Sequence, residues 1–171
     1  MLNWKLLFLA IGLSFALALP AGAQSETIVV ETPWARATPP GARTAAGYLA
    51  IRNTGAEPDR LVAAASPRAE RVELHEMTIA DGVARMRPLP EGVAVAPGEA
   101  VALEPGGTHL MFRSLDEAFA AGQTVPVTLS FEKAGEKRVA LPVVPIGAGP
   151  PGGHRGAGHG ASHEAGHDAR R

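Results

Sequence analysis

Two short stretches, "LHEMT" and "THLMF", each set a histidine and a methionine two residues apart: His75 with Met77, and His109 with Met111. Both residue types are scarce. The chain has 4 methionines and 6 histidines in all; apart from Met1, every methionine (Met77, Met86, Met111) falls in the window that also holds His75 and His109. In a strand, residues two apart point to the same face, so each pair can grip one ion. Two imidazoles with two or three thioethers and no carboxylate form a soft ligand set, which suits Cu(I). Zinc would call for cysteine or more histidine, and a blue-copper electron-transfer centre for a cysteine thiolate; the chain has no cysteine. Any one of these residues alone would read more simply as a methionine filling a core gap or a satisfied histidine. Their joint concentration in one segment favours the metal.

The turn signal Asp81-Gly82 predicts a hairpin joining "VELHEMT" to "VARMRPL". A two-residue turn sets Met86 opposite Met77, and a four-residue turn sets it opposite His75. Both keep the three side chains on one face, because the change in loop length preserves side-chain parity. The same pairing puts Arg85 and Arg87 on the face of Leu74, which reads as core, so a bulge or irregular strand end is expected near Met86.

These residues sit in a chain that alternates short β-branched or apolar runs with Gly, Pro, Asn and Asp from Thr27 to about Pro145. That spacing predicts an all-β fold, a mostly antiparallel Greek-key β-sandwich or barrel. "SLDEAFAAG", residues 114–122, is the one segment with a helical turn in prospect, capped by Ser114 and stopped by Gly122, as a crossover or loop.

The first 23 residues, with Lys5, the apolar run Leu6 to Leu19 and the small residues Ala21, Gly22 and Ala23, read as a cleavable signal peptide, leaving a copper-binding domain over 24–146. The apolar run is too short to span a bilayer, and without a cysteine there is no lipid attachment, so no stable membrane anchor is expected. A formal charge of −1 with both signs interspersed offers no basic stripe for nucleic acid. No Ser-His-Asp arrangement, phosphate loop or HExxH motif appears, so the chain does not read as an enzyme.

The spacing His75, ten residues, Met86, twenty-two residues, then His109-x-Met111 resembles that of the PCuAC family of periplasmic copper(I) chaperones, with the middle spacing longer by one. "PWARATPPGARTAAGYLAIRN", "VELHEMTIADGVARMRPL" and "EPGGTHLMF" extend the likeness over roughly residues 27–145. The resemblance implies a cupredoxin-like fold, one Cu(I) held by His75, Met86, His109 and Met111, and delivery to an acceptor such as the CuA subunit of cytochrome c oxidase or another assembly chaperone. Met77 falls outside those four ligands and reads as a neighbouring thioether, with direct ligation as the alternative. Trp34, Arg36 and Tyr48 also match the family pattern, in core packing or through a ring hydrogen bond from Tyr48. A periplasmic copper buffer or resistance protein with no dedicated acceptor would use the same ligands.

Residues 147–171 turn abruptly rich in Gly and Ala, with His154, His159, His163 and His167 spaced five, four and four apart. This tail is expected to be disordered. Its imidazoles suit Cu(II) as an accessory site.

Overall fold

A computed structural model of the chain describes residues 27–151. The strands are β1 (Ile28–Arg36), β2 (Thr44–Asn53), β3 (Asp59–Ala65), β4 (Ala69–Ala80), β5 (Val83–Pro88), β6 (Val93–Val95), β7 (Ala100–Leu103), β8 (Thr108–Leu115), β9 (Thr124–Phe131) and β10 (Gly135–Val144). Their order is β5-β4-β8-β2-β1-β10-β9-β3-β6, and a further β4–β3 pairing, Ala64 with Val72, closes seven of them into a barrel. The fold is all-β and cupredoxin-like, as the sequence suggests. It is a closed barrel rather than two open sheets, so that β5, β6 and β7, each paired on one side only, are left as edges outside the closed ring. β8 returns between β4 and β2 as in a Greek key, and among the described residues the one parallel contact joins β1 to β10 through Ala35–Val143 and Arg36–Val144.

Alternation along the strands explains the interior. In β9 the side chains of Val125, Val127, Leu129 and Phe131 point inward and are buried, while Thr124 and Pro126 face out. In β2, Ala45, Gly47, Leu49 and Ile51 share the inner face. Gly47 is needed there: a Cβ on it would lie 2.8 Å from Leu141 Cδ2 and 2.9 Å from Phe112 Cε2, so the strand can approach these two side chains only without one.

The helical turn expected over 114–122 does not form. Ser114 (φ 54°) and Leu115 complete β8, and the chain then crosses irregularly. Phe119 drives this: it is fully buried, edge-on to Phe112 at 5.2 Å. Its backbone N–H donates to Thr38 Oγ1 and its carbonyl accepts from Thr38 N–H, while Gly122 N–H donates to Val143 O. Tertiary partners thus satisfy the backbone groups that a helical turn would have satisfied internally, and packing overrides local propensity.

The β4–β5 hairpin is regular. Ala80 pairs with Val83 around the two-residue turn Asp81-Gly82, with φ 54° and 75°, the left-handed pair of a type I′ turn. The expected bulge near Met86 is absent, because β5 pairs only with β4 and all of its residues are exposed. The inner face of β4 therefore ends near Leu74, and beyond it the hairpin projects as an arm. There Arg87 meets no core; it lies opposite Glu76 and forms an ion pair with it.

Candidate metal centre

His75 on β4 and His109 on β8 are directly paired across the sheet, with Glu73 opposite Met111 on the same face. Met77 and Met86 pair one step further along the arm. Since Leu74, Leu110 and Phe112 point inward, this group lies on the outer wall of the barrel. It is nonetheless sheltered: His75 is 8% and His109 4% exposed, whereas Met86 is 48% exposed. Met77, Met86, His109 and Met111 line an open depression of about 310 Å³, bounded on the far side by Arg36 and Tyr48. The structure thus gathers His75, Met86, His109, Met111 and Met77 on one face. The histidines His154, His159, His163 and His167, and residues 1–23, expected from the sequence to be a signal peptide, lie outside the described residues.

Hydrogen bonding prepares both rings. Nδ1–H of His109 donates to the Gly107 carbonyl at 3.0 Å, which in the neutral ring leaves Nε2 with a free lone pair. The Nε2–H of His75 donates to Glu73 Oε2 at 2.9 Å, and Nδ1 of His75 is buried with no hydrogen-bond partner among the described residues. A carboxylate on one ring nitrogen that fixes the tautomer and leaves the other nitrogen bare is the usual outer support of a metal-binding histidine. The His75 hydrogen bond, outweighing the opposing effect of burial and helped by Arg113 and Arg71, holds the Glu73 carboxyl below the usual carboxylate range. It is therefore an anion at neutral pH.

The ring centres are 6.1 Å apart. An ion bound at about 2 Å to one nitrogen of each would stand about 3 Å from each centre, within that span. Among the described residues no three His, Cys, Asp or Glu form a metal-holding group, and the side chains beside the two imidazoles on this face include the thioethers of Met77, Met86 and Met111.

Trp34, Tyr48, His109 and His75, from β1, β2, β8 and β4, form a row of rings across the outer wall, with successive centroids 4.4, 6.5 and 6.1 Å apart. Trp34 and Tyr48 are buried, as packing residues should be, in a layer beside the histidines and separate from the main interior cluster. Tyr48 makes no ring hydrogen bond among the described residues, and it is Arg36 that stacks on both rings, its guanidinium carbon 5.6 Å from the Trp34 and 5.8 Å from the Tyr48 centroid. Glu73 is the residue that sequence reasoning missed. Its signal was parity: it precedes His75 by two and so shares its face.

These features define a class first: a closed, cupredoxin-like β-barrel that carries two sheltered, paired histidines on its outer wall, with His109 and three thioethers lining an open depression there. The family described as "Putative lipoprotein LpqE-like" matches residues 28–143. A relative, "Putative lipoprotein Lxx21020" of Leifsonia xyli subsp. xyli (strain CTCB07), is 33% identical over 133 residues, 75% of this chain and 79% of its own length. Among solved structures, the copper-bound PCuAC domain from PmoF2 superposes with a TM-score of 0.59 at 29% identity, over 70% of this chain and 93% of its own. The solution structure of CuI-DR1885 from Deinococcus radiodurans gives 0.56 at 32% identity, over 72% and 83%. The chain belongs to the LpqE-like family and to the PCuAC copper chaperones, which are binding proteins and not enzymes.

Proposed function

We propose that this chain is a periplasmic chaperone that carries one Cu(I) on His75, Met86, His109 and Met111 and delivers it to a copper acceptor, such as the CuA centre of cytochrome c oxidase. The observation that carries the reading is the pair of bare ring nitrogens, His109 Nε2 and the buried, unpartnered Nδ1 of His75, beside two thioethers on the same face. All four donors are neutral, soft or borderline, and Cu(I) is the available ion they suit best. The half-exposed Met86 and the open depression favour a carrier over a closed store, because an acceptor's ligands can reach the ion before the carrier's have let go. Met77, opposite Met86, is a neighbouring thioether that stands by when Met86 is displaced. Residues 1–23 direct export and are removed, and His154, His159, His163 and His167 take up Cu(II) as an accessory site near the core through their tether.

The test is a titration of Cu(I), under reducing conditions and against a competing chelator, into the chain from Gln24, into the same chain ending at Ile146, and into each with Met86→Ile and Met111→Ile. One tight equivalent in both lengths that disappears in the double variants supports the thioether site. Equal, weak binding by all four overturns it.

A further inference from the structure

Of the residues lining the depression, Arg36 is the one with a permanent charge, and no carboxylate is among them. Its guanidinium is stacked on Trp34 and Tyr48, its Nε is buried without an acceptor, and it forms no ion pair among the described residues. Other arginines near the site are engaged: Arg71 and Arg113 with Glu73, and Arg87 with Glu76. A guanidinium presents a planar fork of N–H donors matched to a carboxylate. The two aromatic rings hold that fork in place, so little freedom is lost when it binds.

From this arrangement we infer that Arg36 is an anion subsite next to the copper ligands, which receives a carboxylate carried beside the copper-binding residues of the acceptor. The inference rests on the proposed Cu(I) site. Neutral imidazoles and thioethers leave the bound ion's single positive charge uncompensated, and Arg36 adds a second on the same depression. The anion of Glu73 lies on the far side of His75 and is already shared with two arginines. The loaded depression thus attracts an anion more strongly than the empty one. Transfer is ligand exchange: a lone pair of the acceptor's donor forms a bond to copper as a thioether–copper bond breaks. Copper remains Cu(I), with no electron exchanged. Arg36 does not touch the ion; it holds the acceptor's carboxylate while that exchange occurs.

The experiment follows Cu(I) transfer from the full chain by stopped flow to two synthetic acceptor peptides, each with two cysteines, that differ only in a Glu or a Gln beside them. Cu(I) loading of each protein is first measured by chelator competition. For the wild-type protein, transfer to the Glu peptide is expected to be roughly fivefold faster at low salt, the effect of one partly screened charge pair, and the advantage should shrink as salt is added. Arg36→Gln should still load one Cu(I) and cut the preference to the small remainder due to the ion's own charge, and Arg36→Lys should retain more of it. A wild-type protein that loads copper but transfers equally fast to both peptides overturns the anion subsite and leaves the copper site standing. A preference that persists undiminished in a loaded Arg36→Gln protein also overturns it. A wild-type protein that does not load overturns both readings. If Arg36→Gln fails to fold, Arg36→Met, which keeps an apolar stem against the two rings without the charge, takes its place: an undiminished preference in the loaded variant overturns the subsite.

Discussion

Replacing Glu73 tests its support of the metal and, separately, of the fold. Its carboxylate takes the Nε2–H of His75 at 2.9 Å and so leaves Nδ1 as the free donor nitrogen. In Glu73→Ala the ring loses its anchor and can adopt the other tautomer, so ordering it falls to the ion. Loss of such an outer partner usually weakens metal affinity about 10- to 100-fold, or about 1.4–2.7 kcal/mol. Glu73→Gln keeps an acceptor oxygen but loses the charge, and should weaken binding by less than about tenfold. The copper-free fold should also lose about 1–3 kcal/mol, because the buried His75 ring is left without its partner. The ion pairs of Glu73 with Arg71 (3.8 Å) and Arg113 (3.7 Å) are long and largely exposed, contributing under about 1 kcal/mol. The assay is Cu(I) competition with a chromogenic chelator, paired with urea unfolding of the copper-free protein. Glu73→Ala binding Cu(I) within about twofold of wild type would refute the assigned tautomer and the role of Nδ1 with it.

Three further outcomes are expected. Burial pushes the Asp59 carboxyl up, but backbone N–H groups of Lys133, Arg60 and Ala134 and the charge of Lys133 outweigh it and hold the group below its ordinary range. Its stabilisation is therefore complete above the unfolded carboxylate range of about 4 and is lost as pH falls through the depressed folded value; Asp59→Ala should cost about 1–3 kcal/mol at pH 7 in urea unfolding and flatten the acid limb of stability against pH, and an unchanged limb would refute this. Gly47→Ala places a Cβ within 3 Å of Leu141 and Phe112, so calorimetry should show a loss of about 1–3 kcal/mol; an unchanged melting temperature would mean that the two side chains yield freely. Removing residues 147–171 should abolish the Cu(II) signal of the chain in electron paramagnetic resonance and leave the single Cu(I) equivalent intact; a fall in Cu(I) stoichiometry would place Cu(I) ligands in the tail.

Much of the site was legible before any fold was known, because strand periodicity is local. His75 with Met77 and His109 with Met111 share a face by parity alone, and Asp81-Gly82 announces the two-residue turn that sets Met86 opposite Met77. The bulge near Met86 was a wrong expectation for a non-local reason: it assumed that the face of Leu74 stays buried along the whole of β4, whereas the hairpin outruns the barrel. The helical turn at 114–122 failed likewise, since the burial of Phe119 and its bonds to Thr38 depend on the segment that follows β1, about eighty residues away in sequence.

By itself, then, the sequence determined the strand-rich fold class, the clustering of histidines and methionines and which of them share a face, since each follows from residue type and a period of two. Only the tertiary structure decided that His75 lies across from His109, that seven strands close into a barrel with the site on its outer wall, that Glu73 selects the free nitrogen of His75, and that Arg36 faces the depression unpaired. The physical reason is that these depend on which strands become neighbours. That is set by the burial of Phe112, Phe119, Leu110 and Leu141 in a shared interior, and no local pattern of residues encodes it.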